Sequence, residues 1–174
     1  MLERATSQTK DLTLEVLVST SEHCCCAFGN VVLTRSLRAP DALYLRDWVN
    51  AILRHGRTQP QGLGIVIFID AEAQPPNEAE RGLIKDGFIR VRPVVRGAVQ
   101  VIEGQGFMAA AMRGALTVTS LASGIGYPIK VTGDVGQAAT LLSKMLLKSM
   151  DPRIAPRASA APQTRFDGVC PASD

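Results

Sequence analysis

A continuous apolar run near the middle of the chain, Gly-Leu-Gly-Ile-Val-Ile-Phe-Ile at residues 62–69, restricts the fold more than any other feature. Strands with one face in water alternate apolar and polar side chains, whereas strands covered on both faces are apolar throughout. A short apolar run of this kind therefore predicts a central strand that is buried on both faces.

Strand and helix signals alternate along most of the chain. Apolar residues recur at every second position in Leu12–Ser19, and Cys24–Leu33 is a further strand segment that Gly29-Asn30 divides. Alternating strands and helices imply parallel strands with right-handed crossovers. The sequence predicts an α/β domain at 12–150, with a mixed sheet, an N-terminal antiparallel strand pair, βα units and four helices. The predicted helices lie at about 41–56, 77–90, 107–123 and 134–150.

The two ends of the chain differ from this domain in composition. Residues 1–11 are predominantly polar, which predicts a flexible N-terminus. Residues 151–174 are rich in Pro, Ala and Ser and have no apolar periodicity, which predicts a disordered tail. Three of the four cysteines, Cys24–Cys26, are adjacent and cannot pair sensibly with one another. We therefore expect a reducing, cytoplasmic location.

Charge and aromatic content argue against two classes of partner. The net charge is only +3 and aromatic residues make up 5% of the chain. Nucleic-acid-binding proteins usually have a concentrated basic stripe or a platform of aromatic side chains, so no nucleic-acid partner is predicted. The longest weakly charged stretch, Glu103–Lys130, contains several glycines and a proline, which favours a buried strand and helix over membrane insertion.

The order of predicted elements is similar to that of the STAS (sulfate transporter and anti-sigma factor antagonist) family, over roughly Leu12–Met150. The resemblance includes the apolar strand that ends in an acidic residue, Asp70. Many family members carry a Ser or Thr directly after that aspartate, and its phosphorylation releases a partner kinase. Here Ala71-Glu72-Ala73 follows, so the resemblance does not imply the phosphorylation switch. A permanent charge at Glu72 that imitates the phosphorylated state is a hypothesis.

A second resemblance concerns residues 101–113, Val-Ile-Glu-Gly-Gln-Gly-Phe-Met-Ala-Ala-Ala-Met-Arg. This segment is similar to one in small STAS-like proteins of myxobacteria, whose role is unknown. Its Glu103–Phe107 part lies at the carboxyl end of a predicted strand and begins a helix. Amides at a helix N-terminus attract anions, and open α/β sheets bind ligands at strand carboxyl ends. The alternative is a tight turn that lets the helix pack closely.

The candidate binding or interface residues surround this turn. We expect the carboxylates of Asp70, Glu72 and Glu103 to converge at one sheet edge, with Arg113 balancing their charge. Arg113 is the only charged residue of the third predicted helix, and Met108 and Met112 are predicted on its outer face; exposed apolar faces often mark contacts. The full set is Asp70, Glu72, Glu103, Gly104, Gln105, Gly106, Phe107, Met108, Met112 and Arg113.

Basic residues along and after the second predicted helix leave two alternatives. Arg81, Lys85, Arg92 and Arg96 form either a solvated face or a docking surface for an acidic partner. His23 and Cys24–Cys26 lack the ligand spacing of a zinc site, and no serine has a nucleophile-elbow context, so the sequence predicts no metal, no cofactor and no enzyme activity. The predicted function is a regulatory or scaffold module that contacts another protein or a second copy. The alternative is a small-molecule or nucleotide-binding module that uses the Glu103–Phe107 turn.

Overall fold

The computed structural model describes residues 13–70, 73–104, 106–122 and 124–149. The flexible N-terminus and disordered tail predicted at 1–11 and 151–174 lie outside these ranges. The strands are β1 Glu15–Ser19, β2 His23–Phe28, β3 Val31–Ser36, β4 Leu63–Ile69, β5 Val95–Val101 and β6 Ile129–Thr132. The helices are α1 Ala42–Gly56, α2 Glu78–Val91, α3 Phe107–Ala122 and α4 Val135–Ser149. None of the described helices is long and apolar enough to cross a membrane.

All six strands form one mixed sheet, in chain order from β1 to β6. The first three strands are antiparallel neighbours, and β3 to β6 run parallel. Gly29, with φ of 59°, forms the turn that divides the predicted Cys24–Leu33 segment into β2 and β3. The predicted α/β class is confirmed, with antiparallel pairing at the N-terminus and four helices.

Helices α1 and α2 pack on one face of the sheet, and α4 packs on the other. Side chains of α1 and α2 pack with Leu63, Ile65 and Ile67 of β4. Val66, which points to the opposite face, packs with Leu142 and other residues of α4. The central strand is therefore buried on both faces, as the apolar run predicts.

Three helices begin with side-chain caps that the sequence indicates. The Asp41 carboxylate accepts a hydrogen bond from the Tyr44 amide at the start of α1. Asn77 and Glu80 form a reciprocal capping box at the start of α2, and Asp134 accepts from the Gln137 amide at the start of α4. Because the crossovers are between parallel strands, every helix begins at the edge where β3 to β6 end. We call this the carboxyl edge and the opposite one the amino edge.

Candidate functional site at the carboxyl edge

Two of the three predicted carboxylates follow neighbouring strands at the carboxyl edge. Phe68 of β4 pairs with Val101 of β5, and continuing this register by two residues places Asp70 opposite Glu103. The third, Glu72, lies outside the described residues. Asp70 and Glu103 follow adjacent strands at the same edge, and the convergence of their side chains stays a prediction.

The turn after β5 is built on two glycines and an arginine. Gly104 and Gly106 have φ values of 112° and 106°, which favour glycine. A Cβ on Gly106 would meet no atom within 4 Å, so its backbone conformation, and not close packing, calls for glycine there. Gln105, between them, lies outside the described residues.

Arg113 holds this turn from the helix side. Its guanidinium donates hydrogen bonds to the carbonyl oxygens of Ile102 at 3.0 Å and Gly104 at 3.1 Å. These two carbonyls flank Glu103 along the chain, and the hydrogen bonds of the guanidinium go to the backbone. Arg113 therefore has a structural task in addition to the predicted charge balance.

The predicted orientation of α3 is wrong. Met112 is 7% exposed and Ala109 is 3% exposed, so both face the protein interior, whereas Phe107 is 83% exposed. The buried face includes the half-buried Arg113, because its guanidinium turns back to the sheet edge. The helix is almost uniformly apolar, so its sequence does not distinguish the buried face from the exposed one. The side chain of Met108 lies outside the described part of the chain.

Sequence reasoning missed a groove at the carboxyl ends of β3 and β4. This β3–β4 groove has a volume of about 720 Å³ and lies between the first turns of α1 and α2. Asp41 and Glu80 supply its acidic groups, and Leu37 and Leu83 are among its apolar groups. Its Arg38 forms an ion pair of 2.6 Å with Glu22. The starts of both helices were predicted from the sequence, at residues 41 and 77, but their convergence depends on strand order.

Two buried polar rings lie close to this groove. His23 pairs with Ser36, the last residue of β3, and its ring lies 4.3 Å from that of Tyr44. Both residues are about 95% buried, and the His23 Nδ1 and Tyr44 hydroxyl have no hydrogen-bond partner among the described residues. Burial lowers the pKa of His23, with Arg38 acting in the same direction and Glu22 and Asp41 opposing it. Burial likewise raises the pKa of the Tyr44 hydroxyl.

The His23 pKa predicts a stability change with pH. Because the folded-state pKa lies below the ordinary value of 6.5, the unfolded chain binds a proton first as the pH falls. Stability is therefore fully present above pH 6.5 and declines below it, by at most about 1.4 kcal/mol per pH unit for one proton. Urea unfolding between about pH 7 and pH 5 should show a shallower decline for His23→Gln than for the wild type. If the stability of both proteins declines equally over this pH range, the lowered pKa of His23 is not the cause of the decline.

The cysteines of β2 lie on alternating faces of the sheet. Cys25 packs with α1, whereas Cys24 and Cys26 lie on the other face with Phe68. Burial raises the pKa of the Cys25 thiol to about 12 and also raises that of Cys26. Both are free thiols with little thiolate at neutral pH, which is typical of cysteines that act as small apolar side chains. Among the described residues, no group of three or more His, Cys, Asp or Glu is placed to hold a metal ion.

Comparison with known proteins returned no matching family model, no matching curated protein and no matching solved structure.

Proposed function

We propose that this chain is a non-catalytic regulatory or scaffold module that acts through contacts with another protein. The observation that carries the proposal is Phe107, an aromatic side chain 83% exposed at the carboxyl edge. Large apolar side chains are costly to leave in water, and aromatic residues are enriched among those that dominate protein interfaces. The surface around Phe107 is the first candidate for a contact site.

The outer face of α3 extends this surface. Ala110, Ala111, Gly114 and Ala115 are exposed and uncharged, so the helix presents small side chains beside one large ring. Small residues let a partner approach the helix backbone closely, while the ring supplies apolar area for a complementary pocket. This Phe107–Ala115 face supports the proposal through one exposed ring and several small side chains, whereas the sequence predicted a contact face formed by Met108 and Met112.

The small-molecule alternative has less support. Two cavities in the described part of the chain are the β3–β4 groove and a smaller one that is lined by Leu17 and Arg54. Neither is lined by a residue of the Glu103–Phe107 turn. The exposed ring of Phe107 at this turn therefore supports the contact hypothesis more directly.

Phe107→Ala tests the proposal. Because the ring is exposed, we expect the free energy of unfolding to change by less than about 0.5 kcal/mol. Binding should weaken by about tenfold or more, which corresponds to about 1.4 kcal/mol or more. The measurement is calorimetric titration against the purified partner, which is first identified by affinity capture from the native organism and mass spectrometry.

Leu147→Ala is the matched control, because Leu147 is 50% exposed and lies on α4 near its C-terminal end. It should bind the partner like the wild type. Equal binding by the wild type, Phe107→Ala and Leu147→Ala would show that Phe107 is not part of the interface. A chain that captures no specific partner under any condition would count against the contact function itself.

A further inference from the structure

The amino edge of the sheet carries a basic surface. Its five arginines come from the ends of two helices and the start of a strand. They are Arg54, Arg57, Arg90, Arg92 and Arg96. None of them forms an ion pair with another described residue. Arg54 and Arg90 lie in the last turns of α1 and α2, where the helix dipole favours a cation, but the other three lie beyond the helices.

Two of these arginines are held in place by glycines. A Cβ on Gly62 would lie 2.7 Å from the Cγ and Nε of Arg96, and one on Gly126 would lie 2.7 Å from the Cδ of Arg92. Both glycines have positive φ, at 81° and 93°. The arginine stems therefore lie against bare backbone, which restricts their motion, while the two guanidinium groups form no ion pair with another described residue. Restricting side chains before association lowers the entropy cost of binding.

The carboxyl edge has the opposite charge. Asp41 and Glu80 line the β3–β4 groove, Glu78 lies beside it, and Glu103 and Asp134 follow β5 and β6. The basic groups of this edge already have contacts: Arg38 pairs with Glu22, and the guanidinium groups of Arg81 and Arg113 donate to backbone carbonyls. Six carboxylates, with Glu22 included, outnumber these three arginines, and each helix N-terminus offsets only about half a charge, so a net negative charge remains at this edge.

We propose that the arginines of the amino edge dock into the acidic β3–β4 groove of a second copy of this chain, so that copies associate head to tail. The occupant follows from charge complementarity, since a preorganised basic surface and an acidic groove lie at opposite ends of one molecule. The association uses two different surfaces, so it continues from copy to copy as a row or closes as a ring. It goes beyond the proposed function, because neither surface includes Phe107.

Sedimentation velocity of the full chain at two ionic strengths tests the association. At about 10 mM salt the screening length is about 30 Å, and at about 1 M it is about 3 Å. We expect the weight-average mass to rise with protein concentration above the 18.6 kDa of one chain at low salt, and to return to that value at high salt. A monomer at every concentration in low salt would overturn the proposal. So would association that disappears once a nuclease removes bound nucleic acid.

Paired substitutions identify the two surfaces. Asp41→Asn with Glu80→Gln removes both groove charges and keeps capping groups of the same kind, since Asn caps as well as Asp and Gln serves in a capping box. Arg92→Gln with Arg96→Gln removes two charges of the amino edge. Each double variant should be monomeric by itself at low salt. An equimolar mixture should form a complex of two chains and no larger, because each variant retains one working surface.

Arg46→Gln with Lys85→Gln is the charge-matched control, since both side chains are exposed near the middle of α1 and α2. It should associate like the wild type. Equal loss of association in this control would show that net charge, and not the two edges, is responsible, and would overturn the proposal. Phe107→Ala should leave self-association unchanged, so failure of the head-to-tail model and failure of the proposed partner contact can be told apart.

Discussion

Trp48→Ala is expected to lower the free energy of unfolding by about 3–5 kcal/mol, the largest effect of any substitution considered for this chain. Trp48 is 3% exposed and belongs to the core between the sheet and helices α1 and α2. Its ring meets Phe88 of α2 edge-on at 5.7 Å. Removing the indole therefore leaves a cavity at the point where both helices meet the sheet.

A hydrogen-bond chain accounts for part of this loss. The Trp48 Nε1 donates to the Thr34 hydroxyl at 3.1 Å, and that hydroxyl donates to the Cys25 thiol at 3.7 Å. Thr34→Val keeps the shape of the side chain but leaves the buried indole N–H without an acceptor. We expect this variant to lose about 1–3 kcal/mol, less than Trp48→Ala.

Urea unfolding followed by far-ultraviolet circular dichroism measures both variants. This probe is needed because Trp48 is the only tryptophan of the chain, so its removal abolishes the tryptophan fluorescence that would otherwise report unfolding. Leu147→Ala, on the exposed side of α4, should stay within about 0.5 kcal/mol of the wild type. A Thr34→Val protein as unstable as Trp48→Ala would assign the effect to the hydrogen bond and not to ring packing.

The position of Trp48 also links the core to the carboxyl edge. Asp41 and Tyr44 lie at the start of the same helix, and Asp41 lines the β3–β4 groove. Tyr44 and Trp48 are both buried in the same core. The ring of Trp48 thus helps to hold α1, and with it one wall of the groove, in position.

Most of the fold could be predicted from local patterns. The run at residues 62–69 identified the central strand because burial on both faces removes polar side chains. The start of α2 was predicted at residue 77, and its physical cause is equally local, because both partners of the capping box, Asn77 and Glu80, lie within one turn of chain. Gly29-Asn30 identified the hairpin between β2 and β3. In each case the physical cause acts over a few residues, so it is visible in the sequence.

The candidate site depends on causes that act over longer distances. The orientation of α3 was wrong because the helix is almost uniformly apolar, so its sequence does not distinguish the buried face from the face in solvent. The groove was missed because Asp41 and Glu80 lie far apart in the chain and meet only through the β3–β4 pairing. The placement of Arg92 and Arg96 against Gly126 and Gly62 likewise depends on tertiary contacts.

The packing of α4 on the sheet gives the second large effect, and it depends on a pair of glycines. Gly64 of β4 and Gly97 of β5 are neighbours across the two strands. A Cβ on Gly64 would lie 2.9 Å from the Cγ of Leu142, and one on Gly97 would lie 2.6 Å from the sulfur of Met145. These glycines form a notch into which the two α4 side chains fit, so the helix approaches the sheet closely.

We expect Leu142→Ala to lose about 2–5 kcal/mol, because Leu142 is 4% exposed and fills the notch. Gly64→Ala should lose about 1–3 kcal/mol through overpacking, although alanine is ordinarily better than glycine within a strand by about 0.5–1 kcal/mol. The double variant should lose less than the sum of the two, with a coupling of about 0.5–3 kcal/mol, because the shortened side chain makes room for the added methyl group.

Gly82→Ala is the control for this cycle, since a Cβ at that position in α2 would meet nothing within 4 Å. It should stabilise the chain by about 0.5–1 kcal/mol through backbone entropy alone. The sign of the change in the free energy of unfolding for Gly64→Ala therefore separates backbone entropy from overpacking. If Gly64→Ala stabilises the chain as Gly82→Ala does, α4 does not lie tightly in the notch. Destabilisation that Leu142→Ala relieves would mean that contact with Leu142 is what requires glycine there.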